Sequence, residues 1–185
     1  MFLSFVGSAV ISLAQVQPKA QPSSHLSFNG VSIDGTLSAY VSKMEEKGFA
    51  KVNAVDGYAL LSGEYATYQN CYVHVESLKR KDVVSKIALM FPYAETWSTL
   101  SFNYNFVKDK LIAEYGQPAD FVEKFKGETP ADDKSKMDAV KMNSSDYYAT
   151  FETPEGSVQL SIEHDRSQRC FVRLAYYDRI NGNDM

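Results

Sequence analysis

Two stretches of alternating apolar and polar residues decide the fold of this chain. The first, residues 71–91, reads CYVHVESLKRKDVVSKIALMF, and the second, residues 157–177, reads SVQLSIEHDRSQRCFVRLAYY. Each stretch contains two alternating runs with a polar turn between them. A period of two is typical of strands that bury one face, so each stretch predicts an antiparallel hairpin.

A constant offset of 85 residues relates the two hairpins. It takes Val73 to Val158 and Leu89 to Leu174. The same offset relates the apolar residues Val75, Ile87 and Phe91 to Leu160, Val172 and Tyr176. Chance similarity between alternating strands is one interpretation, but the shared spacing favours a duplicated unit.

A helical pattern precedes each set of strands. Apolar residues recur at helical spacing within residues 28–49 and again within residues 97–115. The core residues expected from them are Leu37, Val41, Met44, Trp97, Leu100, Tyr104, Val107 and Leu111. Strand-like runs follow at residues 50–55, 58–68, 71–77 and 83–91, and then at 119–126, 147–151, 157–163 and 170–177. The sequence therefore predicts an α+β fold, an antiparallel sheet of two helix-plus-four-strand repeats with the helices packed on one face.

The chain opens with an apolar segment that carries no charge. Residues 1–14 read MFLSFVGSAVISLA, which is too short to span a bilayer. Ser12 and Ala14 occupy the −3 and −1 positions of a signal-peptidase cleavage site, where small residues are required. We therefore predict a signal peptide and a mature chain that begins at Gln15. The predicted location is periplasmic or extracellular. A buried N-terminal strand or helix is the alternative. No other stretch approaches the length of a transmembrane segment.

The remaining residues make one predicted domain, as a length of 185 residues suggests. The domain covers residues 28–178, as repeats 28–93 and 94–178, between a linker at 15–27 and a tail at 179–185. Residues 127–146 interrupt the second repeat as a polar insertion. The insertion is interpreted either as a mobile surface excursion or as a binding lobe.

Composition and motifs argue against several functions. A net charge of −4 lacks the basic footprint of a nucleic-acid binder. The sequence has no phosphate loop, no G-x-S-x-G motif and no H-E-x-x-H motif. Cys71 and His74 fall on opposite faces of a strand, so they cannot form a catalytic dyad. His74 and Glu76 share a face, but a metal site there would need at least one more ligand. We expect no catalytic residue, no metal and no cofactor, although carboxylates assembled from distant strands would leave no motif.

Two cysteines share the parity of the predicted core. Cys71 alternates with Val73, and Cys170 alternates with Val172. They are interpreted as small apolar core residues, or as a disulfide that closes a loop of about 100 residues and contributes up to about 4–5 kcal/mol.

The other face of the predicted sheet carries an unusual set of side chains. Alternation assigns to it the candidate binding residues Tyr72, His74, Tyr148, Phe171, Arg173 and Tyr177. Tyrosine, phenylalanine and arginine are enriched at protein interfaces, which favours a protein partner. Cross-strand aromatic pairs also stabilise a sheet without a partner, and this alternative stays open.

The order of elements resembles the β-lactamase-inhibitor-protein-like fold. The small outer-membrane assembly lipoproteins of the SmpA/OmlA type have a shorter version of that architecture. The leader and the helix end at residues 111–118 (LIAEYGQP) carry this resemblance. Residues 33–35 (IDG) and 47–49 (KGF) are similar to uncharacterised secreted proteins of gut Bacteroidetes. No cysteine that could carry a lipid follows the leader, unlike in the assembly lipoproteins.

This resemblance covers residues 28–178 at the level of architecture. It implies an inhibitor-like or envelope-assembly-like protein-binding module rather than an enzyme. A small-ligand carrier, or a hydrolase that acts on envelope or polysaccharide material, is the alternative.

Overall fold

The computed structural model describes residues 24–182, so the predicted leader lies outside the described residues. The strands are β1 (Ser27–Phe28), β2 (Val31–Ser32), β3 (Ala50–Val55), β4 (Tyr58–Tyr65), β5 (Tyr68–Leu78), β6 (Val83–Met90), β7 (Asp120–Phe125), β8 (Ser145–Glu152), β9 (Gly156–His164) and β10 (Cys170–Asp178). The helices are α1 (Leu37–Glu46), α2 (Trp97–Tyr115), α3 (Asp133–Lys141) and α4 (Arg179–Gly182).

One eight-stranded antiparallel sheet organises the fold, in the order β3-β4-β5-β6-β10-β9-β8-β7. Each group of four consecutive strands forms a meander, and the two meanders meet where β6 pairs with β10. In this pairing Leu89 lies opposite Leu174 and Ala88 lies opposite Ala175. The α+β architecture predicted from the sequence is therefore confirmed, including the helix that precedes each meander.

Both main helices begin and end where local chemistry predicts. Thr36 caps α1 by accepting a hydrogen bond from the Ala39 N–H at 3.2 Å. Thr96 caps α2 in the same way, through the Thr99 N–H at 3.2 Å. Gly48 follows α1 with φ +93°, a left-handed conformation that favours glycine.

The core lies between the helices and one face of the sheet. The buried residues of α1, α2 and α3 belong to the same cluster as the inward residues of the strands. The buried helix residues are Leu37, Tyr40, Val41, Met44, Leu100, Tyr104, Val107, Leu111, Met137 and Val140. Trp97 and Ile162 pack against this cluster but are only partly buried. The opposite face of the sheet therefore has none of these three helices over it.

The packed domain extends beyond the limits expected from the sequence. The buried Asp178 carboxylate accepts hydrogen bonds from the Leu26 N–H at 2.7 Å and the Asn181 N–H at 2.9 Å, and it lies 3.0 Å from His25 Nδ1. The sequence predicts a linker at residues 24–27 and a tail at residues 179–182, but this carboxylate ties both to the sheet. The buried Asn181 side chain strengthens the attachment by donating to the carbonyl oxygens of Ile33 at 3.2 Å and Val84 at 2.9 Å.

The insertion is anchored rather than projecting freely from the second meander. Met137 and Val140 of α3 are buried in the core. At the start of α3, the Asp133 carboxylate accepts hydrogen bonds from the Ser98 N–H at 3.1 Å and the Ser98 hydroxyl at 2.9 Å. These bonds fix α3 to the first turn of α2, while Met142 beyond its end is 75 % exposed.

The two cysteines are free and buried. Cys71 is on β5 and Cys170 is on β10, and β6 lies between these strands. Two strand spacings amount to about 10 Å, whereas a disulfide needs Cα atoms within about 7 Å. No disulfide joins them, so both serve as core residues, and burial raises the pKa of the Cys71 thiol to about 11.

Candidate functional site

The candidate site is the side of the sheet that faces away from the helices, which we call the open face. It arises because alternate residues of each strand point away from the core. Its side chains in the middle strands are Tyr58, Tyr72, His74, Glu76, Lys86, Ala88, Met90, Tyr148, Gln159, Ser161, Glu163, Phe171, Arg173, Ala175 and Tyr177.

Small residues occupy the centre of the open face. Ala88 and Ala175 are direct partners across the junction of β6 and β10, and both are buried. Longer side chains precede and follow them on each strand, with Lys86 and Met90 on β6 and Arg173 and Tyr177 on β10. These longer side chains leave Ala88 4 % and Ala175 0 % exposed, so they close over the centre of the face.

Two ion pairs flank this centre. Lys86 Nζ lies 2.9 Å from Glu76 Oε1, and Arg173 Nη1 lies 3.2 Å from Glu163 Oε1. Tyr177 links the two pairs because its ring lies 5.6 Å from Lys86 Nζ and its hydroxyl accepts from Arg173 Nη2 at 3.5 Å. Each cation has its own carboxylate, so the middle of the face is close to neutral.

His74 extends this network toward β4. Its Nδ1 lies 2.8 Å from the Tyr58 hydroxyl. Burial lowers the pKa of His74, with Arg173 and Lys86 acting in the same direction and Glu76 opposing it. Burial and Glu76 raise the pKa of Tyr58. Burial thus favours the neutral imidazole, and its hydrogen bond with the Tyr58 hydroxyl holds this histidine in place as part of the surface.

The six predicted binding residues all lie on this face, but they differ in accessibility. Tyr72 is 40 % exposed. Tyr177 and Tyr148 are partly exposed, and the Tyr148 hydroxyl donates to Asp120 at 3.1 Å. His74 and Arg173 are partly buried within the polar network just described.

Phe171 is the exception, and its expected exposure is wrong. Only 4 % of it is accessible, because the Tyr93 ring packs edge-on against it with centroids 6.0 Å apart. Tyr93 comes from the loop between β6 and α2, not from a neighbouring strand. The accessible aromatic group at this corner is thus Tyr93, which strand alternation could not identify.

Arg169 completes that corner, and the sequence analysis did not identify it as a site residue. Its guanidinium lies 4.0 Å from the centroid of the Tyr93 ring and pairs with Asp165 at 2.6 Å. Backbone and side-chain hydrogen bonds from Arg169 and Ser167 lower the pKa of Asp165 to about 2. The turn between β9 and β10 is therefore a fixed, charged rim beside the aromatic corner.

A cavity of about 290 Å³ lies beside α3, at the end of β9. His164 and Glu163 line it together with Asn143 and Ser145. The His164 ring nitrogens lie 2.9 Å from the Asp165 carbonyl oxygen and 3.3 Å from Asn143 Oδ1. An oxygen lies within hydrogen-bonding distance of each nitrogen, so the ring is held against the wall of the cavity.

Among residues 24–182, no three His, Cys, Asp or Glu side chains come together in a group that could hold a metal ion. Among the same residues no helix is both long enough and apolar enough to cross a membrane. Comparison of the chain with protein-family models, curated proteins and solved structures gave no match.

Proposed function

We propose that this chain is a non-enzymatic binding module that docks a partner protein on the open face of its sheet. The supporting observation is that this face has no helix from the core over it and yet carries accessible tyrosine rings beside fixed ion pairs. Tyrosine and arginine are the residue types that most often dominate binding energy at interfaces. Hydrogen bonds already hold the Tyr148, Arg173 and Tyr177 side chains in place, which lowers the entropic cost of binding.

The size of the face suits a protein more than a small molecule. Six strands from β4 to β8 at about 4.8 Å spacing give a width of about 25 Å, and four rows of side chains extend about 20 Å along the strands. The projected area is about 500 Å², and side-chain relief increases the accessible area toward the roughly 800 Å² per partner of a standard interface.

The charges on the face define the chemistry of the partner. Because Lys86 and Arg173 are each neutralised by a carboxylate, a strongly charged partner gains little. We propose a partner surface of mixed apolar and hydrogen-bonding character that packs on the accessible tyrosine rings. Binding of this kind depends weakly on ionic strength.

Export is part of the same proposal. The uncharged apolar pattern of residues 1–14 supports an inhibitor-like or envelope-assembly-like role outside the cytoplasm. The ion pairs support a role without catalysis, because ionisable groups that satisfy one another are poor candidates for acid or base chemistry.

The test compares variants of the open face with a matched control elsewhere. The partner is captured from an envelope extract with the immobilised chain, identified, and titrated against Tyr72→Ala, Tyr177→Ala and the control Phe121→Ala. Phe121 is 59 % exposed on the edge strand β7 and points to the helix side of the sheet. We expect at least tenfold weaker binding for the two tyrosine variants and less than a twofold change for the control. Equal affinities for all three would contradict the proposal.

A further inference from the structure

A cleft separates α3 from the loop at residues 93–96. It consists of two cavities, with volumes of about 190 and 270 Å³. Glu95, Met137 and Lys141 line both cavities, which therefore adjoin, and we call them together the α3 cleft. The smaller cavity reaches the turn between β9 and β10, and the larger one extends to the start of α3. The cleft thus follows α3 over about 12 Å, from Asp133 to Lys141.

Hydrogen bonds hold both walls of the α3 cleft in place. The Ala94 N–H donates to the Cys170 carbonyl oxygen at 2.9 Å, which ties the loop to β10. Near the other end, the Asp133 carboxylate accepts from the Ser98 hydroxyl at 2.9 Å, which ties α3 to α2. The walls are therefore fixed without a ligand, so little ordering opposes binding.

The smaller cavity has an apolar floor. Ala94, Met137 and Cys170 line it, and all three residues are buried. Its volume of about 190 Å³ exceeds the roughly 150 Å³ of a cavity that holds benzene. One apolar side chain of a ligand therefore has room over this floor.

The rim of the α3 cleft carries available groups of both signs. Glu95 forms no hydrogen bond or ion pair with the other described residues. Asp138 is shared between Lys134 at 3.6 Å and Lys141 at 3.9 Å, so both ammonium groups keep N–H donors for a ligand. Because Glu95 and Lys141 line both cavities, a charged ligand group would meet a group of its own sign in either one.

Arg169 adds a fixed donor where the cleft meets the turn between β9 and β10. Its Nε and Nη2 atoms contact the Asp165 carboxylate at 2.8 and 2.6 Å, and its guanidinium stacks on the Tyr93 ring at 4.0 Å. Its Nη1 group makes no hydrogen bond within residues 24–182. Two N–H donors of an immobilised guanidinium are therefore available to an oxygen acceptor at this end of the cleft.

We propose that the α3 cleft binds a short peptide segment in an extended conformation, with no charged side chain inside the cleft. A peptide group is neutral and carries both a donor N–H and an acceptor C=O. It can pair with Glu95 and with Lys141 without bringing like charges together. At about 3.3 Å per residue, the cleft holds about four residues, one of which places an apolar side chain over Met137. This site is distinct from the open face, because α3 packs on the opposite side of the sheet.

Methyl NMR of the full chain, with its methionine methyl groups isotopically labelled, tests this site. Met137 reports on the cleft, Met90 on the open face and Met142 on the exposed end of the insertion. The probe is acetyl-Ala-Leu-Ala-Ala-amide, and the matched peptides have Glu or Lys in place of Leu. We expect the neutral peptide to shift the Met137 signal with a dissociation constant of about 0.1–10 mM. The two charged peptides should bind at least about threefold more weakly, because each meets a like charge.

A matched pair of variants tests the role of the rim. Glu95→Ala removes an exposed carboxylate from the cleft, and Glu46→Ala removes one from the end of α1. We expect Glu95→Ala to bind the neutral peptide at least about threefold more weakly, as for the loss of one hydrogen bond, and Glu46→Ala to bind it like the wild type. Glu95→Ala should also narrow the difference in affinity between the neutral and the acidic peptide.

Three results would overturn the proposal. They are a Met137 signal that does not move up to about 20 mM peptide, equal affinities for the three peptides, and a Glu46→Ala variant that loses as much affinity as Glu95→Ala. A shift of Met90 in place of Met137 would also overturn it, while leaving the proposed role of the open face intact.

Discussion

Leu89 lies directly opposite Leu174 at the junction of the two meanders, and these are the residues that the 85-residue offset relates. The pairs on either side are exchanged by the same offset, since Ala88 faces Ala175, Met90 faces Arg173, and adding 85 takes Ala88 to Arg173 and Met90 to Ala175. A pseudo-two-fold axis normal to the sheet therefore passes through this leucine pair. It places α1 over one meander and α2 over the other, and leaves the open face continuous across the junction.

Truncation of this leucine pair should be costly. Both side chains are buried, so Leu89→Ala and Leu174→Ala should each lower the free energy of unfolding by about 2–5 kcal/mol. Chemical denaturation measures the loss, with Val52→Ala on the exposed edge strand β3 as a control that should change stability by less than about 0.5 kcal/mol. Losses below about 1 kcal/mol at both positions would mean that the two leucines are not packed in the core.

Tyr40 should be replaceable by phenylalanine without loss. Tyr40 belongs to α1, and its side chain is fully buried in the core. Its hydroxyl has no hydrogen-bond partner among the described residues. Burial without a partner costs free energy, and it also raises the pKa of this tyrosine. Tyr40→Phe should leave the free energy of unfolding unchanged or raise it by about 1 kcal/mol. A loss above about 1 kcal/mol on denaturation would show that the hydroxyl is satisfied, for example by an internal water.

Asp178 should control the attachment of the N-terminal hairpin, in which β1 pairs with β2. Asp178→Ala leaves the N–H groups of Leu26 and Asn181 without their acceptor, so we expect a loss of about 2–4 kcal/mol. Asp178→Asn keeps one acceptor oxygen and should cost less. Hydrogen exchange at the amides of Leu26 and Ile33, the latter bonded to the Leu26 carbonyl at 2.8 Å, should accelerate in the alanine variant. Unchanged exchange at both amides would rule out this role.

His74 should make the domain less stable in mild acid. Its pKa is lower in the folded chain than in the unfolded chain, so the unfolded chain binds more protons as the pH falls. The resulting loss of stability begins near the unfolded value of about 6.5 and grows until the pH has passed the lower folded value. We expect His74→Gln, which keeps an acceptor for Tyr58, to lose less stability than the wild type between pH 7 and pH 5. A larger loss of stability in the variant than in the wild type would contradict this prediction.

The helices and strands could be predicted because the spacing of apolar residues and the residues that end each element are visible in the sequence. The limits of α2, at Trp97 and Tyr115, follow from its apolar spacing and the Gly116 that ends it. The inward parity of Val73 and Leu160 follows from strand alternation, and both are buried as expected. Local patterns of this kind need no knowledge of which strands become neighbours.

The features that the sequence did not predict depend on contacts between distant segments of the chain. Phe171 is buried by Tyr93, a residue that follows Pro92 in a loop and belongs to no periodic pattern. Asp178 is a carboxylate outside any motif, and its partners His25 and Leu26 lie more than 150 residues away. The cysteines share a face, but their separation depends on a strand order that the sequence does not reveal.

Hydroxyl-radical footprinting of the chain with and without its captured partner tests the open face most directly. Met90 and Tyr72 report on this face, Phe102 and Phe121 report on the helix side, and Met142 reports on the insertion. The account predicts that the partner lowers oxidation of Met90 and Tyr72 several-fold and leaves Met142, Phe102 and Phe121 unchanged. Unchanged oxidation at Met90 and Tyr72, with protection at Met142 instead, would contradict it and place the binding site on the insertion.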